Sequence, residues 1–338
     1  MSKLKLALYW AASCGGCDMA ILELYEKILD VAAAVDILFW PVAIDTKYKD
    51  VEAFPDKHID VCLFNGAVRT SENEHMAHLL RSKSKILVAY GACSHLGGIP
   101  ALANMTNKKE VFDCVYKYTA STDNPNNVQP KTTVKVDEGT LTLPEFYDTV
   151  KTLAQTVDVD YFVPGCSPVP EQTWAVLEHI IQGKPLPPKG AVLGATQKTV
   201  CDECERDKEE KKITKFYRPF ELIPEPKKCL LEQGIICAGP ATRGGCDARC
   251  IRANMPCRGC YGPPEGVMDQ GAKFLSAIAS VIDAKEPEEI DKIIKQVVDP
   301  IGTFYRFSLA HSLMKRTRMA EQKAPEEAKQ RNTAAARR

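Results

Sequence analysis

Apolar positions along this chain follow two rhythms, and the rhythm changes near residue 185. Residues 3–9, 35–42 (VDILFWPV), 59–66 (IDVCLFNG), 85–93 (KILVAYGAC) and 160–166 (DYFVPGC) are short, nearly continuous apolar runs of strand length. Between them, residues 19–29, 73–82 and 170–183 carry apolar side chains at helical spacing, the last opened by Pro170 and stopped by Gly183. Buried strands alternating with helices predict an α/β domain over residues 1–185, its mostly parallel sheet covered on both faces. Residues 104–143 break the pattern. Their Asn, Pro and Thr content predicts a long excursion with a small hairpin around Asp137–Gly139.

The run Gly183-Lys-Pro-Leu-Pro-Pro-Lys-Gly190 reads as a linker. From 191 to about 268 the chain is rich in Gly, Pro and Cys and has little apolar periodicity, so bound metal is the expected source of its order. Helical patterns return at 269–282 (Leu275, Ile278, Ala279, Ile282) and 286–298 (Ile290, Ile293, Ile294, Val297, Val298). They suit packing against the preceding segment, or docking on a partner. Residues 191–285 thus form a small, irregular, mainly helical domain, and residues 286–338 a helix and tail. The tail turns polar from Ala320 and is expected to be disordered or weakly helical. The short basic run of Lys315, Arg316 and Arg318 suits a solvated helix end.

Composition narrows the class. Of 338 residues, 45% are apolar and 26% charged, as in ordinary globular proteins. Lys plus Arg equals Asp plus Glu at 44 each, so no global charge argues for nucleic acid or an anionic membrane. No stretch approaches the roughly 20 apolar residues of a membrane span. The apolar run Leu4–Ala12 is too short for a secretory leader and leads straight into Cys14 and Cys17, and no Arg-Arg export signal is present. The expected location is the cytoplasm.

Fourteen cysteines then require an explanation. Disulfides are disfavoured in reducing compartments, so metal or redox chemistry is expected. Cys14 and Cys17 follow the first predicted strand, Cys93 the fourth and Cys166 the fifth. In a parallel α/β sheet those loops share one edge, where sites form. Four thiolates can hold a cubane iron–sulfur cluster or zinc, and a lone CxxC can also be a redox dithiol. Gly15 and Gly16 let backbone N–H groups approach the sulfurs. SCGGC lacks the GxxxxGK[ST] pattern of a phosphate loop.

Two further sets follow in sequence. One is Cys201-x2-Cys204-x24-Cys229-x7-Cys237; the other is Cys246-x3-Cys250-x6-Cys257-x2-Cys260. Each suffices for one four-iron cluster, and neither is a bacterial ferredoxin run. Zinc remains the rival at this point, since paired CxxC elements build zinc ribbons. Two adjacent sets plus a third elsewhere favour an electron wire. Cys62 and Cys114 read as small buried hydrophobes. His95, two residues past Cys93, could hydrogen-bond near the first set, and His179 suits packing or surface.

The motifs SCGGCD (13–18), GACSHLGGIP (91–100), VPGCSP (163–168), CDECER (201–206), GPATRGGCDARC (239–250) and MPCRGCYGPPEG (255–266) stand in this order. Over residues 3–285 the chain resembles the small subunit of nickel–iron hydrogenases. It is most similar to the cytoplasmic F420-non-reducing, or methyl-viologen-reducing, type associated with heterodisulfide reductase. The resemblance implies a flavodoxin-like first domain that binds a four-iron cluster instead of flavin. It implies a proximal cluster on Cys14, Cys17, Cys93 and Cys166. The medial cluster would use Cys246, Cys250, Cys257 and Cys260, and the distal one Cys201, Cys204, Cys229 and Cys237. The nickel–iron centre belongs to a large subunit, and no catalytic residue is expected here. The other implied partners are a small iron–sulfur adaptor subunit and a heterodisulfide reductase-like complex, or a ferredoxin-like acceptor.

This chain departs from periplasmic members of that family. Cys201 stands where they have His, and Cys250 supplies a thiolate where they often have Pro, so three [4Fe-4S] clusters are expected. Ser13 stands where they have Glu before the first cysteine. The segment beyond 285 is expected to be a lineage-specific docking extension. The competing readings are an electron-transfer subunit of a formate- or quinone-linked complex and a structural zinc protein. Small subunits of respiratory NADH dehydrogenase share a related first domain and lack the two C-terminal sets.

Overall fold

A computed structural model describes residues 3–209 and 212–314, so Lys315, Arg316, Arg318 and the tail from Ala320 lie outside the described residues. Among the described residues there are nine strands: β1 Leu4–Trp10, β2 Val35–Phe39, β3 Ile59–Asn65, β4 Val68–Thr70, β5 Ser84–Tyr90, β6 Thr133–Val136, β7 Gly139–Thr142, β8 Phe146–Lys151 and β9 Tyr161–Val163. Five of them form a parallel sheet in the order β2-β1-β3-β5-β9. That is the doubly wound order of the flavodoxin-like fold. Strand periodicity splits its side chains between two cores. Leu6, Leu8, Val61, Leu63, Val88 and Tyr90 pack with Ile21, Val31 and Leu177 on one face. Ala7, Tyr9, Cys62, Phe64, Leu87 and Ala89 pack with Met76, Leu80 and Leu153 on the other. Cys62 is fully buried, and burial pushes its thiol up to about 12.

The predicted helix at 19–29 is two short helices, Gly16–Leu22 and Ile28–Ala34, because Tyr25 adopts φ 52° between them. β5 stops at Tyr90 rather than 93, since Gly91 turns the chain into a short helix, Ala92–Leu96. The excursion holds the expected hairpin, β6–β7, with Val136 paired to Gly139. It also holds a helix, Lys108–Asp113, that runs into a π turn. The β4–β8 pair carried no recognisable alternation. Cys114 is exposed, contrary to expectation. Its helix instead turns Phe112 and Tyr116 towards each other, and Phe112 meets Phe146 at 5.2 Å.

The second half has an apolar core of its own, which the irregular spacing of its residues concealed. Val200, Ile213, Phe216, Leu230, Leu231 and Ile235 pack with Phe274 and Ile278 of the helix Gln270–Ala279. Residues 286–314 complete this core and do not stand off as a docking extension. Ile293, Phe304, Tyr305 and Leu309 are buried in it, and Phe304 meets Phe274 edge to face at 5.0 Å. The chain then returns to the first domain. Gly98 N–H donates to the Phe307 carbonyl at 3.0 Å, and Gln155 Nε2 donates to the Ala310 carbonyl at 2.7 Å. Among the described residues no helix is long and apolar enough to cross a membrane.

These contacts set the stability of both halves. Phe304→Ala removes a buried aromatic and leaves a cavity against Phe274, which should cost about 3–5 kcal/mol, read as a lowered thermal transition. Asp160 joins β5 to β9: it accepts from the Leu87 N–H at 2.8 Å and pairs with Arg81. Burial alone would raise its pKa, but Arg81 and Leu87 hold it below the usual value. A depressed carboxylate stabilises the fold at neutral pH and loses that contribution as pH falls through its folded pKa. Asp160→Asn should therefore cost about 1–3 kcal/mol at pH 7. The gap to the parent in urea unfolding should narrow below about pH 4.

Candidate metal centres

The first four thiols come from three loops at the carboxyl edge of the sheet. Cys14 and Cys17 follow β1 at the start of the helix Gly16–Leu22, Cys93 lies in the helix after β5, and Cys166 follows β9. Sheet order makes those loops neighbours, and the structure brings the four side chains together. Burial pushes the Cys17 thiol far up, and the fields of Cys93, Cys166 and Cys14 push it further. Cys93 is raised to about 12, again by burial first, while the Ile99 N–H donates to its sulfur. Cys14 and Cys166 are exposed.

Two glycines make room for this set. A Cβ on Gly91 would stand 2.3 Å from the Cys17 sulfur, and one on Gly98 would stand 2.5 Å from the Cys93 sulfur. Both have positive φ, 87° and 56°, which side-chain-bearing residues rarely adopt. Beside the set lies a buried network that the sequence did not reveal. Asp18 is 3% exposed. Trp40 Nε1 donates to one of its oxygens and Asn65 Nδ2 to the other, each at 2.8 Å, and Ser13 Oγ donates to Asn65 Oδ1 at 2.8 Å. The signal was only a polar Asn closing an apolar strand. His95 does not join the thiols. It is half-buried, with Nδ1 shut away from solvent and its ring 4.6 Å from Phe162, and burial pushes its pKa down to about 3. His179 is half-buried on its helix, within hydrogen-bond distance of the Pro185 carbonyl at 2.9 Å.

Cys201, Cys204, Cys229 and Cys237 line one cavity, together with Arg206 and Lys208. A capping box, Thr199 with Asp202, starts the short helix that carries Cys201. Burial raises Cys237 to about 11, while the Gly239 N–H donates to its sulfur. A Cβ on Gly239 would meet the Cys201 sulfur at 3.0 Å and the Cys237 sulfur at 3.7 Å, so both sulfurs border this backbone.

Cys246, Cys250, Cys257 and Cys260 make the remaining group. Burial raises Cys260 to about 12, and the fields of Cys246 and Cys250 act on it. Cys257 is held well above the usual thiol range by burial, although the Gly259 N–H and the Thr242 hydroxyl hydrogen-bond its sulfur. Ala248 and Arg249 N–H groups donate to Cys246. Such N–H···S bonds suit a negatively charged sulfur.

The three groups touch in series. The Cys166 N–H donates to the Cys260 sulfur, and the Cys257 N–H donates to the Cys237 sulfur. The Cys246–Cys260 group therefore lies between the other two. Among the described residues no three His, Cys, Asp or Glu side chains come close enough to share a single ion. A cubane's own iron and sulfide atoms would occupy the middle of each thiol group. Glycine clearances, a thiol-lined cavity and N–H donors to sulfur are consistent with such clusters.

Comparison with known proteins identifies the family. Residues 14–180 match the family described as NADH ubiquinone oxidoreductase, 20 Kd subunit. The F420-non-reducing hydrogenase iron-sulfur subunit of Archaeoglobus profundus is 43% identical over 317 residues, covering 92% of this chain and 98% of that protein. The corresponding F420-non-reducing hydrogenase subunit of Methanothermobacter marburgensis is 37% identical, covering 92% of this chain and 96% of that protein. A solved NAD+-reducing [NiFe]-hydrogenase chain aligns at 28% identity with a TM-score of 0.47, over 55% of this chain and 96% of that one. The chain is of the class of electron-transfer accessory subunits of nickel–iron hydrogenases. It belongs to the family of F420-non-reducing hydrogenase iron–sulfur subunits. An alignment spanning 92% of the chain necessarily runs past residue 285, so the C-terminal helices are shared with these relatives and are not lineage-specific.

Gly91→Ala tests the first thiol group. The methyl group has no room beside the Cys17 sulfur, and the positive φ adds about 1–2 kcal/mol of strain. Metal analysis of the purified variant should show the loss of one site's complement, with the other two retained.

Proposed function

We propose that this chain conducts electrons released by hydrogen oxidation in a nickel–iron large subunit to a second redox partner through three [4Fe-4S] clusters. The proximal cluster is held by Cys14, Cys17, Cys93 and Cys166. Cys246, Cys250, Cys257 and Cys260 hold the medial one, and Cys201, Cys204, Cys229 and Cys237 the distal one. When bound, the clusters supply one-electron redox chemistry. The protein supplies spacing, insulation and hydrogen bonds to sulfur. The observation that carries this reading is the serial contact, Cys166 N–H to Cys260 and Cys257 N–H to Cys237.

Around the proximal set, Cys14 and Cys166 are exposed, as are Trp10, Met19 and Leu22 nearby in the chain. Exposed apolar side chains of this kind suit a permanent protein interface, and the large subunit is the partner in this proposal. The electron acceptor is a small iron–sulfur adaptor leading to a heterodisulfide reductase-like complex, or a ferredoxin-like protein, and the complex works in the cytoplasm. The proximal-cluster domain spans residues 1–185 and the two-cluster domain residues 191–285, with 286–314 packed onto both.

Anaerobic purification of the native complex tests this. About twelve irons and twelve acid-labile sulfides per chain are expected, together with a co-purifying nickel-containing subunit. One or two zinc ions without sulfide would contradict the clusters. Clusters without a nickel subunit would instead favour a formate- or quinone-linked complex.

A further inference from the structure

The three thiol groups sit in different electrostatic surroundings. Beside the first is Asp18, buried, with both oxygens accepting N–H donors and no cation paired to it among the described residues. Its field acts on Cys17. Beside the last is Arg206, 8% exposed. Its guanidinium donates to the carbonyls of Glu225 at 2.8 Å, Lys228 at 2.9 Å and Ile251 at 3.1 Å, and to Asn254 Oδ1 at 2.5 Å. No carboxylate pairs with it among the described residues, and it lines the cavity of Cys201, Cys204, Cys229 and Cys237. Lys208 lines the same cavity from the solvent side. Between these ends the charges are mixed. Half-buried Arg258 acts on both Cys237 and Cys250, while Glu203 acts on Cys246 and accepts from the Asp247 N–H at 3.1 Å.

A buried unpaired cation is costly unless an anion balances it. Four thiolates with their cluster carry net negative charge, and reduction adds one more. A cation at short range through a low-dielectric wall favours the reduced form, and a buried carboxylate opposes it. We propose that Asp18, Arg258 and Arg206 fix a charge gradient along the three groups, making reduction hardest at the first and easiest at the last. Near the last group the buried carboxylate of Glu232, three residues past Cys229, has no hydrogen-bond partner among the described residues. Arg206 and Lys208 outnumber it, so the gradient follows the order of the serial contacts and favours electron flow away from the first group. This inference rests on the proposal that the groups hold iron–sulfur clusters.

The test is an EPR-monitored redox titration of the purified native complex, which reads each cluster's midpoint by its own signal. Asp18→Asn should raise the midpoint of the first cluster alone. Arg206→Gln should lower that of the last alone, and Arg206→Lys, which keeps the charge, should stay near the parent. Where Arg206→Gln loses its cluster, Asn254→Asp takes its place. It sets a carboxylate against the guanidinium at the expense of the bond from Asn254 to the Pro224 carbonyl, and it too should lower the last midpoint. Intact clusters with unmoved midpoints would overturn the gradient and leave the cluster proposal standing. So would all three midpoints moving together, or Arg206→Lys moving as far as Arg206→Gln. Absence of iron and sulfide from the parent would overturn both.

Discussion

A buried thiol resists ionisation, and most of this chain's design follows from that. Cys93 and Cys260 are pushed to about 12, Cys237 to about 11, and Cys17 and Cys257 lie well above the usual thiol range. At neutral pH such sulfurs become thiolates only when something positive sits among them. In the proposed clusters iron would do this, and N–H donors would complete it. The N–H groups of Ile99, Gly239 and Gly259 are aimed at sulfur rather than at carbonyls. The fold thus commits backbone donors and glycine clearances to positions that suit bound metal.

The sheet serves this arrangement by geometry. A parallel order of β2-β1-β3-β5-β9 delivers the loops after β1, β5 and β9 to one edge, so residues as distant in sequence as Cys17 and Cys166 become neighbours. Among the described residues the second half has no sheet in this role, and it solves the problem differently. Its thiol-bearing loops wrap an apolar core closed by Phe274, Phe304 and Leu309. The bonds from Gly98 to Phe307 and from Gln155 to Ala310 then tie that core to the first domain. That seam helps to hold Cys166 against Cys260, and the serial contact depends on it.

Much of this was legible in the chain, because buried parallel strands and CxxC pairs leave dense local signals. The runs around Leu6–Tyr9, Val61–Phe64 and Leu87–Tyr90 are apolar on both faces, and the cysteine groups have fixed spacings. What was hidden depends on distant partners. The β4–β8 pair is short and half polar. The core of the second half draws Leu230, Ile235, Phe274 and Phe304 from separate stretches without periodicity. Asp18 and Arg206 look like ordinary surface charges until the fold buries them. Cys114 is the opposite case: an apolar neighbourhood in sequence, VFDCVY, lies on a helix whose solvent face carries the thiol.

The proposed function comes down to one central claim, that three clusters lie in a row within this chain. Anomalous scattering at the iron edge from crystals of the native complex tests it most directly. The expected map has three separate peaks in this subunit, each of four-iron strength and each enclosed by one thiol group. The peak among Cys246, Cys250, Cys257 and Cys260 should lie between the other two. An iron peak missing from any group, or scattering at the zinc edge in its place, would contradict it.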